Sequence, residues 1–97
     1  MTTDTQNTRI YQWLLDGNSI TTLEAMLTFR IGRLASRISD LTRDYAVPIQ
    51  KTSEPNADGK GYHTRYSISA EMRERLKDVP LCNVERMLHE TQVINFN

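Results

Sequence analysis

Arg33-Leu34-Ala35-Ser36-Arg37-Ile38-Ser39-Asp40-Leu41 carries two chemically different faces at helical spacing. Leu34, Ile38 and Leu41 follow one another at steps of four and three, and the same rhythm takes in Ile31 before them and Tyr45 after them. Such a stripe is the mark of a helix buried along one side. Arg33, Ser36, Arg37 and Asp40 fall on the other side, with Arg33 and Arg37 one turn apart. The pattern predicts a helix from about Gly32 to Tyr45 with a basic outward edge.

Upstream, Thr21 and Glu24 have the spacing of a capping box, in which each residue's side chain bonds the other's backbone N–H. A second helix is therefore expected from Thr21 or Thr22 to Phe29. Leu23, Met26 and Leu27 are its expected inner set, and Ala25 is small enough for close packing. Arg30-Ile31-Gly32 makes a short connection to the next helix, with Ile31 near the core. Further upstream a first helix is read from Thr8 to Leu15, with Ile10, Leu14 and either Trp13 or Tyr11 inward. Gly17 can take a left-handed cap after it. Ile20 reads as a short buried strand or a packed linker.

Downstream, Val47-Pro48 marks the exit from the helix, because proline biases its predecessor away from helical dihedrals. Ile49 to Thr52 reads as a strand, Glu54 to Gly61 as a turn, and Tyr62 to Ile68 as a second strand. In that second strand Tyr62, Thr64, Tyr66 and Ile68 share one face, and His63, Arg65 and Ser67 the other. Ser69 or Ser67 can cap a fourth helix, Ala70 to Lys77, with Met72 and Leu76 inward and Pro80 as its breaker. A last short helix is read over Val84 to His89. The apolar tail residues Val93, Ile94 and Phe96 need cover, from the domain body or from a second subunit.

Composition narrows the class. The chain has 97 residues, 38% hydrophobic and 25% charged, which suits one small domain. One cysteine, Cys82, excludes an internal disulfide and a thiolate metal cluster. No apolar run approaches a membrane span, and Met1-Thr2-Thr3-Asp4 lacks the basic start and apolar stretch of a signal peptide. A cytoplasmic, reducing setting is expected. Net charge is zero, but residues 30–65 hold seven basic residues against four acidic. The basic excess thus falls on the third helix and the hairpin, where local field counts for more than the total.

At this point a resemblance enters. Ser19-Ile20-Thr21-x-Leu23-Glu24-Ala25, then Arg33-Leu34-Ala35-Ser36-Arg37-Ile38-x-Asp40-Leu41, then Ile49, resembles the small helix-turn-helix proteins common in bacteriophages and prophages. Those look like compact winged helices and are presumed to bind DNA. The similarity spans residues 8–68. Two departures stand out. Family members often carry a basic residue and a glycine after the leucine of the third helix, whereas this chain has Thr42-Arg43-Asp44-Tyr45. Nothing beyond Ser69 is covered.

The expectation is an α+β fold: a winged helix-turn-helix of three helices plus a β-hairpin wing, with a helical C-terminal extension. Residues 1–7 are read as a disordered N-terminus, 8–68 as the domain, and 69–97 as the extension and tail. The expected activity is sequence-specific binding of double-stranded DNA by a homodimer, in phage or prophage transcriptional regulation. Arg33, Ser36 and Arg37 are the candidate base readers, since arginine's planar fork matches guanine's two acceptors. Arg30, Lys51, Lys60, His63 and Arg65 are the candidates for phosphate contact from the helix entry and the wing. Val84, Leu88, Val93, Ile94 and Phe96 are the candidate dimer contacts.

A competing pairing sets Arg37 against Asp40 and Arg33 against Glu24, which would make both arginines ordinary surface residues. The competing function is a protein-interaction module that docks on a host or phage protein. Enzymatic readings are weak. His63 and His89 lie far apart and in no metal-binding pattern, Asp58-Gly59-Lys60-Gly61 is a turn rather than a phosphate loop, and Cys82 lacks a histidine partner. No cofactor is expected.

Overall fold

A computed structural model of the chain describes residues 5–89. Its elements run α1 (Thr5–Leu15), β1 (Ile20–Thr21), α2 (Thr22–Phe29), α3 (Leu34–Asp44), β2 (Gln50–Pro55), β3 (Tyr62–Ser67) and α4 (Ala70–Arg75). A 3-10 turn at Leu81–Asn83 leads into a helical stretch over 84–89. The three strands form one antiparallel sheet in the order β1-β3-β2. This is a three-helix domain with a β-hairpin wing and a helical C-terminal extension.

The core is built where the sequence stripe runs. Leu34, Ile38 and Leu41 of α3 are buried against Ile10, Tyr11 and Leu14 of α1, together with Ile20, Ile31, Val47 and Ile68. Trp13 of α1 meets Phe29 edge-on, ring centres 5.3 Å apart, and donates its indole N–H to the Ser19 carbonyl at 3.0 Å. The capping box forms as read: Glu24 N–H donates to Thr21 Oγ1 at 3.2 Å, and Thr21 N–H donates to Glu24 Oε1 at 3.1 Å.

Several boundaries differ from the sequence reading. α1 starts at Thr5 rather than Thr8, because Gln6 and Asn7 find partners on α3: Arg37 Nη1 donates to Gln6 Oε1 at 3.4 Å, and Asn7 Nδ2 to Asp40 Oδ2 at 3.5 Å. β2 runs on to Pro55, directly opposite Tyr62, so the wing loop is residues 56–61 and shorter than expected. The larger correction concerns α2. Leu23, Met26 and Leu27 are not its inner set; they are 63%, 48% and 73% exposed. Ala25, fully buried, and Phe29 one turn on supply the inner face instead. A helix of two turns, entered directly from β1, is set by its cap and by one close contact, and its apolar majority is left outside.

Both helices of the central pair end without glycine. Arg30 closes α2 at φ 59°, and the next N–H, that of Ile31, reaches back to the Ala25 carbonyl at 3.2 Å. Ala46 follows α3 at φ 61°, and Val47 N–H reaches Leu41 O at 2.9 Å. A side chain in left-handed backbone is strained by about 1 kcal/mol or more. Ala46→Gly is therefore expected to stabilise the domain by about 0.5–1 kcal/mol, after glycine's extra chain entropy is offset. A rise of a few degrees in melting temperature checks it; an unchanged or lower value would show that the turn carries no strain.

The C-terminal extension is pinned to the domain. Ser69 caps α4 by accepting from Met72 N–H at 3.2 Å, and Leu76 and Val84 are fully buried in the shared core. Tyr11 of α1 donates its hydroxyl to the Val79 carbonyl at 2.7 Å. Burial pushes that phenol up to about 12. The unfolded chain loses the same proton near the ordinary value of 10. Above that pH the unfolded state holds fewer protons than the folded one, so stability falls as pH rises. Roughly 2–3 kcal/mol is lost between pH 10 and pH 12. Denaturant titrations across this range should show the slope in the wild type and not in Tyr11→Phe, which should lose about 1 kcal/mol at neutral pH through the broken bond.

Candidate nucleic-acid interface

The surface around α3 is divided by charge along its length. At its N-terminal end stand Arg30, the left-handed cap of α2, and Arg33, the N-cap of α3. Both are exposed, and among the described residues neither side chain has an ion-pair or hydrogen-bond partner. The first turn of α3 contains no acidic residue. The positive end of the helix dipole and two uncommitted guanidiniums therefore coincide there. Ser36 sits one turn further, half-buried, its N–H on the Arg33 carbonyl at 3.1 Å.

From Arg37 onward α3 is the opposite case, with its charges paired among themselves. Arg37 bridges Asp40 at 3.2 Å, and Arg43 bridges Asp44 at 3.2 Å and Asp40 at 3.6 Å. Arg43 Nη1 also donates to Ser39 Oγ at 3.3 Å. Arg37 therefore does not project freely beside Arg33. It leans onto α1 through Gln6, its side chain 30% exposed, with Nε buried and without a partner. The expected Arg37–Asp40 pairing is present, whereas Glu24 pairs with Arg65 rather than Arg33.

The wing residues separate in the same way. Lys51 and Lys60 are exposed on β2 and in the turn, and no described residue pairs with their side chains. His63 and Arg65 are engaged from below. Arg65 Nε donates to Glu54 at 2.7 Å, and its fork spans Ser19 Oγ at 3.0 Å and the two Glu24 oxygens at 3.0 and 3.3 Å. His63 lies between Asn56 and Glu54 at 2.7 and 3.0 Å. The Arg65 hydrogen bond, with a smaller contribution from His63, holds the Glu54 carboxyl below its ordinary value, and the two glutamates raise the Arg65 guanidinium. This network ties the wing to α2.

Three features of the surface were not read from the sequence. Arg43 is the most exposed arginine of α3 that carries a bridge, at 67%. The exposed trio Leu23, Met26 and Leu27 forms an apolar strip on α2 that continues into a cleft of about 600 Å³, bounded across from it by Asn56, Ala57, Asp58 and His63 of the wing. The Glu24–Arg65–Glu54 chain joins residues up to 41 apart in sequence. Capping-box spacing was the one visible sign that Glu24 had a structural task.

Of the candidate dimer contacts, Val84 is fully buried in the chain's own core and Leu88 packs against it. Val84 is thus covered without a second subunit, whereas Leu88 is half-buried. Val93, Ile94 and Phe96 lie outside the described residues. Among the described residues no group of three histidine, cysteine or acidic side chains could hold a metal ion, and no helix is long and apolar enough to cross a membrane.

A family model described as a winged helix-turn-helix domain matches residues 5–71, more than half of the chain. No curated protein and no solved structure matches it.

Proposed function

Because the chain belongs to the winged helix-turn-helix family, we propose that it binds double-stranded DNA with sequence preference, as a transcriptional regulator of phage or prophage origin. The family is associated with DNA or ligand binding, and its domains are typically non-catalytic modules. The observation that carries the proposal is the basic end of α3, where Arg30 and Arg33, unpaired among the described residues, meet an acid-free first turn.

In this reading the N-terminal half of α3 enters the major groove. Arg33 and Ser36 face base edges, and Arg37, braced by Asp40 and Gln6, completes the set from the α1 side. Arg30, Lys51 and Lys60 neutralise phosphates on either side. His63 and Arg65 act by holding the wing in place. So few phosphate contacts on a chain of zero net charge give modest monomer affinity. A two-fold dimer reading a palindromic site would double them, and the tail residues Val93, Ile94 and Phe96 are the proposed contact.

A second reading has its own support. Leu23, Met26 and Leu27 form an uncharged exposed strip of the kind used to dock a protein. A selection from a random duplex library at low salt separates the two. DNA recognition predicts an enriched motif whose affinity falls steeply with added salt. A folded protein that enriches nothing, yet retrieves one stoichiometric protein partner lost on Leu27→Ser, would establish the docking module instead.

A further inference from the structure

The wing turn is closed by a chain of side chains with an unusual demand on one histidine. Asn56 Nδ2 donates to the Lys60 carbonyl at 2.6 Å, which fixes the amide so that Oδ1 faces the His63 ring. That oxygen lies 2.7 Å from His63 Nδ1, and Glu54 Oε1 lies 3.0 Å from Nε2. Both ring nitrogens thus face oxygen acceptors. A neutral imidazole has a single N–H and would set a lone pair against one of those oxygens; only the imidazolium donates to both.

Glu54 stands directly opposite His63 in the β2–β3 ladder. Its other oxygen accepts from Arg65, whose fork ends on Glu24 of α2. The connection therefore runs from the wing turn through His63, Glu54 and Arg65 to the body of the domain.

We propose that protonated His63 is a latch that orders the wing, so that wing order is linked to pH. The charged groups around the ring are Glu54 on β2 and, beyond it, Arg65 on β3 and Glu24 on α2; Asp58 of the turn lines the same cleft. The other α2 residues at that cleft, Thr22, Leu23 and Met26, do not ionise. The latch needs both Glu54 and His63 charged. Glu54 stays ionised below the ordinary carboxylate range, so the latch persists into mild acid. It is lost once rising pH takes the ring proton, because the neutral ring can no longer donate to both oxygens. The latch does not rest on the function proposed above.

The test is a nitrogen-15 NMR titration of the full chain without DNA, from about pH 5 to about pH 9. Ring correlations of His63 report its protonation, and relaxation of the Gly59, Lys60 and Gly61 amides reports wing order. The expected result is order parameters near about 0.85 while both ring nitrogens carry protons, dropping below about 0.6 in step with ring deprotonation. His63→Gln should show one wing order at every pH. Wing order that stays constant in the wild type while the ring titrates would overturn the latch, and so would the same pH response in His63→Gln. No DNA enters the measurement, so its failure leaves the DNA reading standing, and failure to bind DNA leaves the latch standing.

Discussion

Arg33→Ala is expected to weaken binding to the preferred duplex by about ten- to a hundredfold, the loss of roughly 1–3 kcal/mol attached to one well-placed arginine contact. Discrimination against changed base pairs should narrow at the same time. The fold should be indifferent, because Arg33 is exposed, makes no side-chain cap on α3 and has no partner among the described residues. Fluorescence anisotropy with the selected duplex, alongside thermal melting, measures both. Equal affinity for wild type and variant would remove Arg33 from the interface. Arg43→Ala is the informative comparison: its guanidinium is already shared among Asp40, Asp44 and Ser39 at the far end of α3, so a smaller loss is expected.

The second large effect is on stability. Leu34→Ala removes a fully buried side chain at the first position of α3, against α1 and the connection at Ile31. Truncating a buried leucine costs about 2–5 kcal/mol, and small domains are stable by only about 5–15 kcal/mol. A fall in melting temperature of roughly 10 °C or more is expected. Because Leu34 adjoins Arg33, the same change should loosen the end of α3 that carries the unpaired basic groups, and weaker DNA binding should accompany it below the melting point. A fall of less than about 2 °C would mean that the α1–α3 contact is not the centre of the core.

How far the chain could be read in advance follows from what sets each feature. The burial of Leu34, Ile38 and Leu41 repeats at helical spacing and is local, so it was legible. The Thr21–Glu24 capping box is local too. The inner face of α2 was not legible. Leu23, Met26 and Leu27 have the spacing of a buried stripe, but the helix is too short for its own amphipathicity to outweigh the orientation imposed by β1, the cap and the close approach at Ala25. The end of α3 was hidden for another reason: Ala46 takes the left-handed place where a glycine would have announced it.

At the candidate interface, residue type identified the basic groups but not their engagement. Arg30, Arg33, Lys51 and Lys60 are exposed, without side-chain partners among the described residues. Arg37, His63 and Arg65 look equivalent to them in sequence, yet each is held by side chains that only the fold brings near: Gln6 from α1, Asn56 and Glu54 from the wing, Glu24 from α2. A pairing over 31 or 41 residues leaves no local pattern to read. Val84 is subject to the same limit, since its burial depends on how the extension folds back.

The claim that the N-terminal end of α3 faces DNA is tested most directly by amide chemical-shift mapping as the selected duplex is titrated into the full chain. The predicted result is that the largest shifts cluster at residues 30–36, with a second set at Lys51 and in the wing turn around Lys60, and that the exposed strip at Leu23, Met26 and Leu27 stays quiet. Shifts confined to that α2 strip, or none at all with the protein folded, would contradict it.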